Sequence, residues 1–172
     1  MPTDTESINA TTGGVTDRGG PHLRIELLSQ ARYLSGTREL VAAVARRLGF
    51  DETACGQIAL AVDEALCNII RHGYERRDDG RIWVSIWPQD DAPDTGTGRA
   101  GGIRIVIEDE ARQIDPDGIQ GRDLDDIRPG GLGVYIIRQV MDSVQYEKRE
   151  GHGMRLTLVK SRDRDGAGGV GN

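Results

Sequence analysis

The sequence predicts a two-layer sandwich of helices on a β-sheet, of the α+β class or its α/β variant. Short segments that alternate apolar and polar residues predict strands, and longer segments with apolar residues at helical spacing predict helices. In chain order these elements are strand, helix, helix, strand, strand, an irregular segment, helix, strand and strand. Runs of antiparallel strands beside a few helices are typical of a sheet with helices packed against it.

Length, charge and cysteine usage narrow the class of protein. The chain has 172 residues, which predicts one domain with a substantial core. Its net charge is -6 and it has no basic stripe, so we expect no nucleic-acid partner and no anionic membrane surface. Cys55 and Cys67 show neither disulfide nor metal spacing. With no secretory signal and no long apolar run, the sequence predicts a cytoplasmic protein without a membrane span.

The first part of the chain predicts a tail, a strand and a helix. Residues 1–21 are polar and rich in glycine, which is typical of a disordered tail. Apolar residues alternate in HLRIELL (22–28), which predicts a strand. The helix that follows has Gly49 as a plausible C-cap. Its apolar positions recur at Leu34, Thr37, Val41, Val44 and Leu48.

The second helix is expected over roughly 52–74, with Asp51 as its N-cap. Glu64, Asn68 and His72 stand at i, i+4 and i+8, so they form one row on this helix. The apolar face beside the row consists of Ile58, Val62, Ala65, Leu66 and Ile69. A carboxylate and an amide at the boundary of a core need partners, which either the protein or a ligand must supply.

The rest of the chain predicts further strands around an irregular segment. Strands are expected at 81–87, 102–109, 144–149 and 153–161, and a helix at 133–143. Residues 88–102 read as a loop, and residues 162–172 as a second disordered tail. Residues 110–132 are rich in glycine and proline without a clean period. Long irregular segments inside compact domains are often functional lids.

Three segments carry the residues of a candidate site. The first is Glu64-x-x-x-Asn68 on the second helix, and the second is Asp109 at the end of a strand with a row of isoleucines. The third is GGLGVYIIRQVMD (130–142), a glycine-rich turn that opens a helix. Each segment alone is a weak indication, but their order and spacing together are specific.

This order resembles the GHKL ATPase superfamily, and within it the bacterial anti-sigma factor serine kinases. VDEALCNIIRHGYE (62–75) resembles the N box of that family, and IEDEARQIDP (107–116) resembles its first glycine box. PGGLGVYIIRQVMDSVQY (129–146) resembles the second glycine box, and GHGMRLTLVK (151–160) resembles the closing box. The resemblance implies a Bergerat-type ATP-binding domain over 22–161, with a mixed, mostly antiparallel sheet covered on one face by helices.

For the phosphate end of the site, the resemblance implies roles for Asn68 and Glu64. Asn68 matches the Mg²⁺ ligand of the family, and Mg²⁺ prefers oxygen ligands together with waters and phosphates. Glu64 matches the acid that activates the attacking hydroxyl or water. The alternatives are an asparagine bonded to backbone and a solvated helix glutamate. In the lid, at 110–132, Arg122 and Arg128 are candidates to reach the γ-phosphate.

For the nucleotide, the resemblance implies that Asp109 accepts a hydrogen bond from the adenine amino group. The alternative for Asp109 is a turn residue that ends its strand. Gly131, Leu132 and Gly133 match the second glycine box, where glycine lets the backbone approach a phosphate at a helix N-terminus. Thr157 matches a family position near the adenine. The alternative is that Thr157 is an ordinary β-branched strand residue without a role in binding. His72 often accompanies the N box, and we assign it no chemistry.

The first glycine box departs from the family pattern. Ala111 stands where the family has glycine, and Ile114 stands where it has an aromatic residue. Alanine adds only a methyl group but penalises a positive φ. We therefore expect Ala111 to line the nucleotide site and to affect nucleotide affinity more than the fold.

The function implied by the resemblance is that of a serine/threonine protein kinase and anti-sigma factor using ATP and Mg²⁺. Its substrate would be a STAS-type anti-anti-sigma protein, and its second partner a sigma factor. The first helix, with Arg38, is a candidate surface for the partners and for a homodimer. One alternative is a nucleotide-gated binding module with weak or no kinase activity, which Ala111 favours. Another is a fold of this type that binds no nucleotide.

Overall fold

The structure is a computed structural model that describes residues 20–89, 100–116 and 132–162. The strands are β1 (Leu23–Leu28), β2 (Arg81–Gln89), β3 (Ala100–Asp109), β4 (Ser143–Lys148) and β5 (Met154–Arg162). The helices are α1 (Leu34–Arg47), α2 (Glu52–Asn68) and α3 (Leu132–Val140), with a 3₁₀ turn (Ala31–Tyr33) before α1 and a π-helical turn (Ile69–Gly73) after α2. Most of the predicted tails, of the 88–102 loop and of the 110–132 lid lies outside the described residues.

The strands form one sheet in the order β1-β2-β3-β5-β4, and its pairings are all antiparallel. The predicted α+β class and mostly antiparallel sheet are therefore confirmed. Paired residues share a face of the sheet, so an apolar row crosses all the strands. That row is Ile25, Val84, Ile107, Leu156 and Tyr146. The helices pack on this face, and the buried core lies between the two layers.

Helix α2 is the central core helix. By length and composition, Glu52–Gly73 is the one described segment that could cross a membrane. In this fold one face of α2 is instead buried, with Cys55, Ile58, Ala59, Ala61, Val62, Ala65 and Leu66, whereas Leu60 is exposed. Burying one isoleucine or leucine side chain contributes roughly 1.5–3 kcal/mol. The predicted N-cap is confirmed, because the Asp51 carboxylate accepts the Ala54 N–H at 2.7 Å.

The structure departs from the predicted second helix after Asn68. Instead of continuing as α-helix to residue 74, the chain makes the π-helical turn, in which the Tyr74 N–H bonds the Ile69 carbonyl at 2.8 Å. The wider turn changes the direction of the later side chains. As a result His72 is exposed, whereas Glu64 and Asn68 are half-buried, and the predicted polar row ends at Asn68.

Three further boundaries differ from prediction by two residues or more. Strand β2 continues to Gln89, and strand β3 begins at Ala100. Both therefore reach into the segment 88–102, which was predicted as a loop. Helix α3 ends at Val140, before the predicted residue 143. The Asp142 carboxylate explains the early end, because it accepts hydrogen bonds from Lys160 Nζ at 2.9 Å and the Ser161 N–H at 2.7 Å.

Tyr74 connects the end of the π-helical turn to strand β2 and to the segment that follows β3. Its buried phenol oxygen accepts the Glu110 N–H at 2.8 Å and donates to the Arg81 carbonyl. Gly80 lies against the ring, where a Cβ would come within 2.3 Å of a ring carbon. Burial raises the pKa of the Tyr74 phenol, which keeps it protonated as a donor. This contact fixes the segment that follows β3.

We predict that Tyr74→Phe lowers the free energy of unfolding by about 1–3 kcal/mol, because the N–H of Glu110 and the carbonyl of Arg81 lose their partner. Tyr33→Phe is the matched control, since the Tyr33 side chain is exposed, and it should change stability by less than about 0.5 kcal/mol. Urea unfolding of both variants measures the difference. Equal stabilities for the two variants would contradict the role given to the phenol.

Candidate functional site

The first part of the site is the contact between helices α2 and α3. Gly133, in the first turn of α3, lies directly against two side chains of α2. A Cβ on Gly133 would lie 2.7 Å from Glu64 Oε2 and 3.2 Å from Asn68 Nδ2. A larger residue at position 133 would have to displace the ends of these two side chains, so glycine allows Glu64 and Asn68 to keep their positions. The structure thus brings Glu64, Asn68 and Gly133 together, while Gly131 lies outside the described residues.

Glu64 and Asn68 are polar groups at the edge of the core whose partners are not in the described chain. Both side chains are half-buried, and neither has a hydrogen-bond or ion-pair partner within residues 20–89, 100–116 and 132–162. In those segments no fully buried side-chain nitrogen or oxygen lacks a partner, so their polar atoms remain accessible. The alternative of an asparagine bonded to backbone does not occur there. A partly buried carboxylate and amide in this state are suited to receive a ligand.

The second part of the site is the Asp109 carboxyl at the end of β3. Asp109 is only 3% exposed, and its Oδ1 accepts the N–H of Ala111 at 2.8 Å and the N–H of Met154 at 3.2 Å. These bonds leave Oδ2 as the oxygen that a ligand N–H can reach. Burial raises the pKa of Asp109, against the opposing effect of the two backbone N–H groups and the nearby Arg149 guanidinium.

Ala111 and Gly73 form a complementary pair beside Asp109. The π-helical turn carries Gly73 so close to Ala111 that a Cβ at residue 73 would lie 2.9 Å from the Ala111 methyl carbon. Ala111 is buried, and its backbone is not left-handed, since the described non-glycine residues with positive φ are Glu75 and Arg76. The strain expected for alanine at this position is therefore absent. The methyl group occupies space that Gly73 leaves open.

The structure does not bring Thr157 to this site. Thr157 lies in β5 between Leu156 and Leu158, whose side chains are buried in the core. Because successive strand residues point to opposite faces, Thr157 lies on the sheet face away from the helices. Asp109 is on the helix-covered face, in alternation with Ile107. The family role expected for Thr157 has no support in this geometry.

Besides the Met154 N–H, Gly153 contacts Asp109 from this region, a role that was not predicted from the sequence. Gly153 has φ +83°, and a Cβ there would lie 1.8 Å from the Asp109 carbonyl oxygen. Only glycine fits this position. The sequence signal that could have indicated this close approach is the glycine just before the last strand, in GHGM.

The remaining predicted residues lie apart from these contacts. Leu132 begins α3 and is 64% exposed, Ile114 is 44% exposed, and Arg38 is exposed on α1. Arg122 and Arg128 lie outside the described residues. In the described part of the chain, no group of three or more His, Cys, Asp or Glu side chains is arranged to hold a metal ion. A metal held by one amide oxygen would depend on ligand oxygens and waters for the rest of its coordination.

We predict that the Gly73–Ala111 contact appears as an energetic coupling. Gly73→Ala should cost about 1–3 kcal/mol of unfolding free energy through overpacking. Combining it with Ala111→Gly should restore most of that loss, because one methyl group then remains in the shared space. Gly56→Ala on α2 is the control, since no atom lies within 4 Å of its added Cβ, and it should not destabilise the chain. Strictly additive effects of the two substitutions in urea unfolding would show that the pair is not coupled.

Comparisons with known proteins identify the family of the chain. The histidine kinase-like ATPase domain family matches residues 27–160. The serine-protein kinase RsbW of Listeria monocytogenes serotype 4a (strain HCC23) is 29% identical over 135 residues, which cover 78% of this chain and 85% of that protein. RsbW of Bacillus subtilis (strain 168) is 22% identical over 151 residues, covering 83% and 88% of the two chains.

A solved structure shows the same fold. The crystal structure of the RsbU and RsbW domains of Rv1364c from Mycobacterium tuberculosis matches with a TM-score of 0.53 and 19% identity. The match covers 81% of this chain and 32% of that one. Because the family match spans most of the chain, this protein belongs to the histidine kinase-like ATPase domain family, the GHKL type, and has serine-protein kinases among its relatives.

Proposed function

We propose that this chain is a serine/threonine protein kinase that also acts as an anti-sigma factor. It would transfer the γ-phosphate of ATP to a STAS-type anti-anti-sigma protein and sequester a sigma factor when that antagonist is phosphorylated. The observation that carries the proposal is the packing of Gly133 against Glu64 and Asn68, a polar pair without a partner in the described chain. Relatives named as serine-protein kinases support the reaction class.

The nucleotide would be held at two ends. Asp109 Oδ2 would accept the adenine amino group, since Oδ1 is already bonded to two backbone N–H groups. The first turn of α3, with Leu132 and Gly133 and the preceding Gly131, would face the phosphates. The first N–H groups of a helix have no partner within it, and its dipole favours negative charge. Ala111, packed on Gly73, would form the wall of the pocket beside the purine.

The residues present fit a magnesium ion at Asn68. The Asn68 amide is half-buried and has no hydrogen-bond partner in the described chain, and Gly133 puts no side chain between it and the first turn of α3. One amide oxygen is a suitable protein ligand for Mg²⁺, which keeps waters and substrate phosphates in its coordination. When bound, Mg²⁺ would neutralise charge on the phosphates.

Glu64 would act on the attacking hydroxyl. It lies one helical turn before Asn68 and faces the same glycine, so its carboxylate would be next to the phosphate end of the nucleotide. A carboxylate there can orient the serine or threonine hydroxyl of the substrate and accept its proton. Phosphoryl transfer gains mainly from such positioning and from charge stabilisation.

We assign the partner surface to β1 and the first turns of α1. A groove of about 550 Å³ lies there, and Leu28 and Tyr33 on its wall are 39% and 44% exposed. Arg38 is exposed on the same helix. This surface would serve the protein partners and a homodimer in the cytoplasm. Phosphorylation adds roughly -1.5 to -2 charges to the antagonist, which would loosen its complex with an acidic chain.

Of the two weaker hypotheses, the nucleotide-gated binding module depended on Ala111 as an obstacle in the nucleotide site. Ala111 has no positive φ and its methyl group packs on Gly73, which argues against such an obstacle. If the fold bound no nucleotide, the half-buried polar groups of Glu64 and Asn68 would have neither a protein partner in the described chain nor a ligand. The kinase is therefore the function that we put forward.

We expect γ-phosphate-labelled ATP to label a STAS-type protein of the same organism in the presence of wild-type chain. Glu64→Ala should abolish this transfer while Mg-ATP binding persists, because the hydroxyl loses its proton acceptor. Asp63→Ala is the control, since it removes a neighbouring carboxylate that does not face Gly133. Transfer that survives in Glu64→Ala would contradict the role of Glu64, and a wild type that binds Mg-ATP but transfers nothing would contradict the kinase.

We expect Asp109→Asn to change the choice of purine. The amide oxygen can keep the two backbone bonds, which turns Nδ2–H toward the ligand in place of an acceptor. ATP affinity should fall by roughly 100-fold or more, because a site built for an N–H donor loses its acceptor. Inosine triphosphate, with an oxo group at the same purine position, should lose less or gain. Calorimetric titration of both nucleotides gives the ratio, and an unchanged ATP:inosine triphosphate ratio would refute the adenine contact.

The same variant tests the pKa of Asp109. A carboxyl with a raised pKa destabilises the folded chain when ionised, and this penalty is relieved as pH falls through the folded-state pKa. Asp109→Asn should therefore be at least as stable as wild type at neutral pH, with a stability difference that shrinks toward acid pH. A difference that grows toward acid pH in urea unfolding would contradict the assignment.

A further inference from the structure

The hairpin between β4 and β5 makes three contacts with Asp109. Arg149 Nη1 donates to the Asp109 carbonyl oxygen, and Gly153 packs against that same oxygen. The Met154 N–H bonds the carboxylate itself at 3.2 Å. Both the backbone and the side chain of Asp109 are therefore held from the neighbouring strand connection. The Asp109 rotamer depends on where this hairpin lies.

The hairpin is in turn fixed to the segment that follows Asp109. The Arg149 N–H bonds the Gly153 carbonyl at 3.1 Å, which closes the base of the turn. Gln113 Nε2 donates to the carbonyl of Arg149 at 2.6 Å and to the carbonyl of Gly153 at 3.2 Å. Asp109 and Gln113 thus hold the same hairpin from both sides of Ala111.

The Arg149 guanidinium is held in position by contacts with Glu108 and Trp83. Its side chain is 26% exposed, with Nε 3.6 Å from Glu108 Oε1 and the guanidinium carbon 5.3 Å from the centre of the Trp83 ring. A planar guanidinium can make these contacts and the hydrogen bond to Asp109 at once, because its donors point in fixed directions. The ammonium group of lysine has no such geometry.

We propose that Arg149 is a positioning residue for purine selection, which holds Asp109 so that the free carboxylate oxygen faces the 6-amino group of the base. This inference rests on the proposed function, because it assumes that Asp109 reads the purine. Arg149 does not touch the base in this account. It acts through the backbone of Asp109, and the ligand class that it favours is a purine nucleotide with an amino group at position 6.

Arg155 offers a matched control on the next strand. Its guanidinium also pairs with Glu108, at 2.9 Å, and its side chain is 50% exposed. In the described part of the chain, Arg155 is not one of the residues that hydrogen-bond to Asp109, which are Ala111, Arg149 and Met154. Removing Arg155 therefore takes away one positive charge and one Glu108 partner while leaving the Asp109 carbonyl bonded.

The experiment is a calorimetric titration of Mg-ATP and of Mg-inosine triphosphate into wild type, Arg149→Met, Arg149→Lys and Arg155→Met. We expect Arg149→Met to weaken ATP binding by roughly tenfold or more, because small displacements of a recognition group are costly. Binding of inosine triphosphate should change little, so the ratio of the two affinities falls. Arg149→Lys should lie between wild type and Arg149→Met, and Arg155→Met should keep the wild-type ratio.

The results separate this inference from the proposed function. If wild type does not bind Mg-ATP, or does not prefer it to inosine triphosphate, the proposed role of Asp109 fails and this inference fails with it. Suppose that wild type prefers ATP and that Arg149→Met lowers the affinities for both nucleotides equally, or leaves both affinities unchanged. In that case only the role of Arg149 fails, and the proposed function stands. Thermal unfolding of each variant identifies a general loss of stability. Should Arg149→Met not fold, an unchanged ratio in Arg149→Lys overturns the inference.

Discussion

The fold is organised around the burial of one carboxylate, that of Asp109, at the end of a central strand. A buried carboxylate is costly unless hydrogen bonds compensate it, and here backbone N–H groups from two segments do so. That requirement explains why glycine at residue 153 and the Tyr74 phenol are needed nearby, since they bring the flanking backbone into place. Only one oxygen of the carboxylate is used in this way, which leaves the other for recognition.

The second organising feature is the glycine contact between α2 and α3. It lets the first turn of α3 approach the polar edge of α2 closely, where Glu64 and Asn68 lie against Gly133 without a hydrogen-bond or ion-pair partner in the described residues. The π-helical turn directly after Asn68 then redirects the chain so that Gly73 meets Ala111. The π-helical turn thus lies between the two ends of the site, with Asn68 directly before it and Gly73 as its last residue.

Periodicity in the sequence was enough to predict most of the fold. Strand and helix positions, the Asp51 N-cap and the buried isoleucines of β3 follow from local pattern alone. The π-helical turn could not be predicted, because it depends on tertiary contacts of Tyr74 and Ala111 and not on a local residue preference. The resemblance alone indicated Thr157. The alternation of side chains along β5 places it on the face of the sheet away from the helices and from Asp109. The partnership of Gly73 with Ala111 joins residues distant in sequence, so only the structure could reveal it.

Calorimetric titration of ATP with and without Mg²⁺ decides whether the polar edge of α2 binds a magnesium–nucleotide complex, as we propose. Wild type and Asn68→Ala are the two proteins to compare. We expect Mg²⁺-dependent binding to wild type, and loss of the Mg²⁺-dependent part in Asn68→Ala with folding intact. Full Mg²⁺ dependence in Asn68→Ala would show that Asn68 does not hold the metal, and a wild type that does not bind ATP would rule out the nucleotide site.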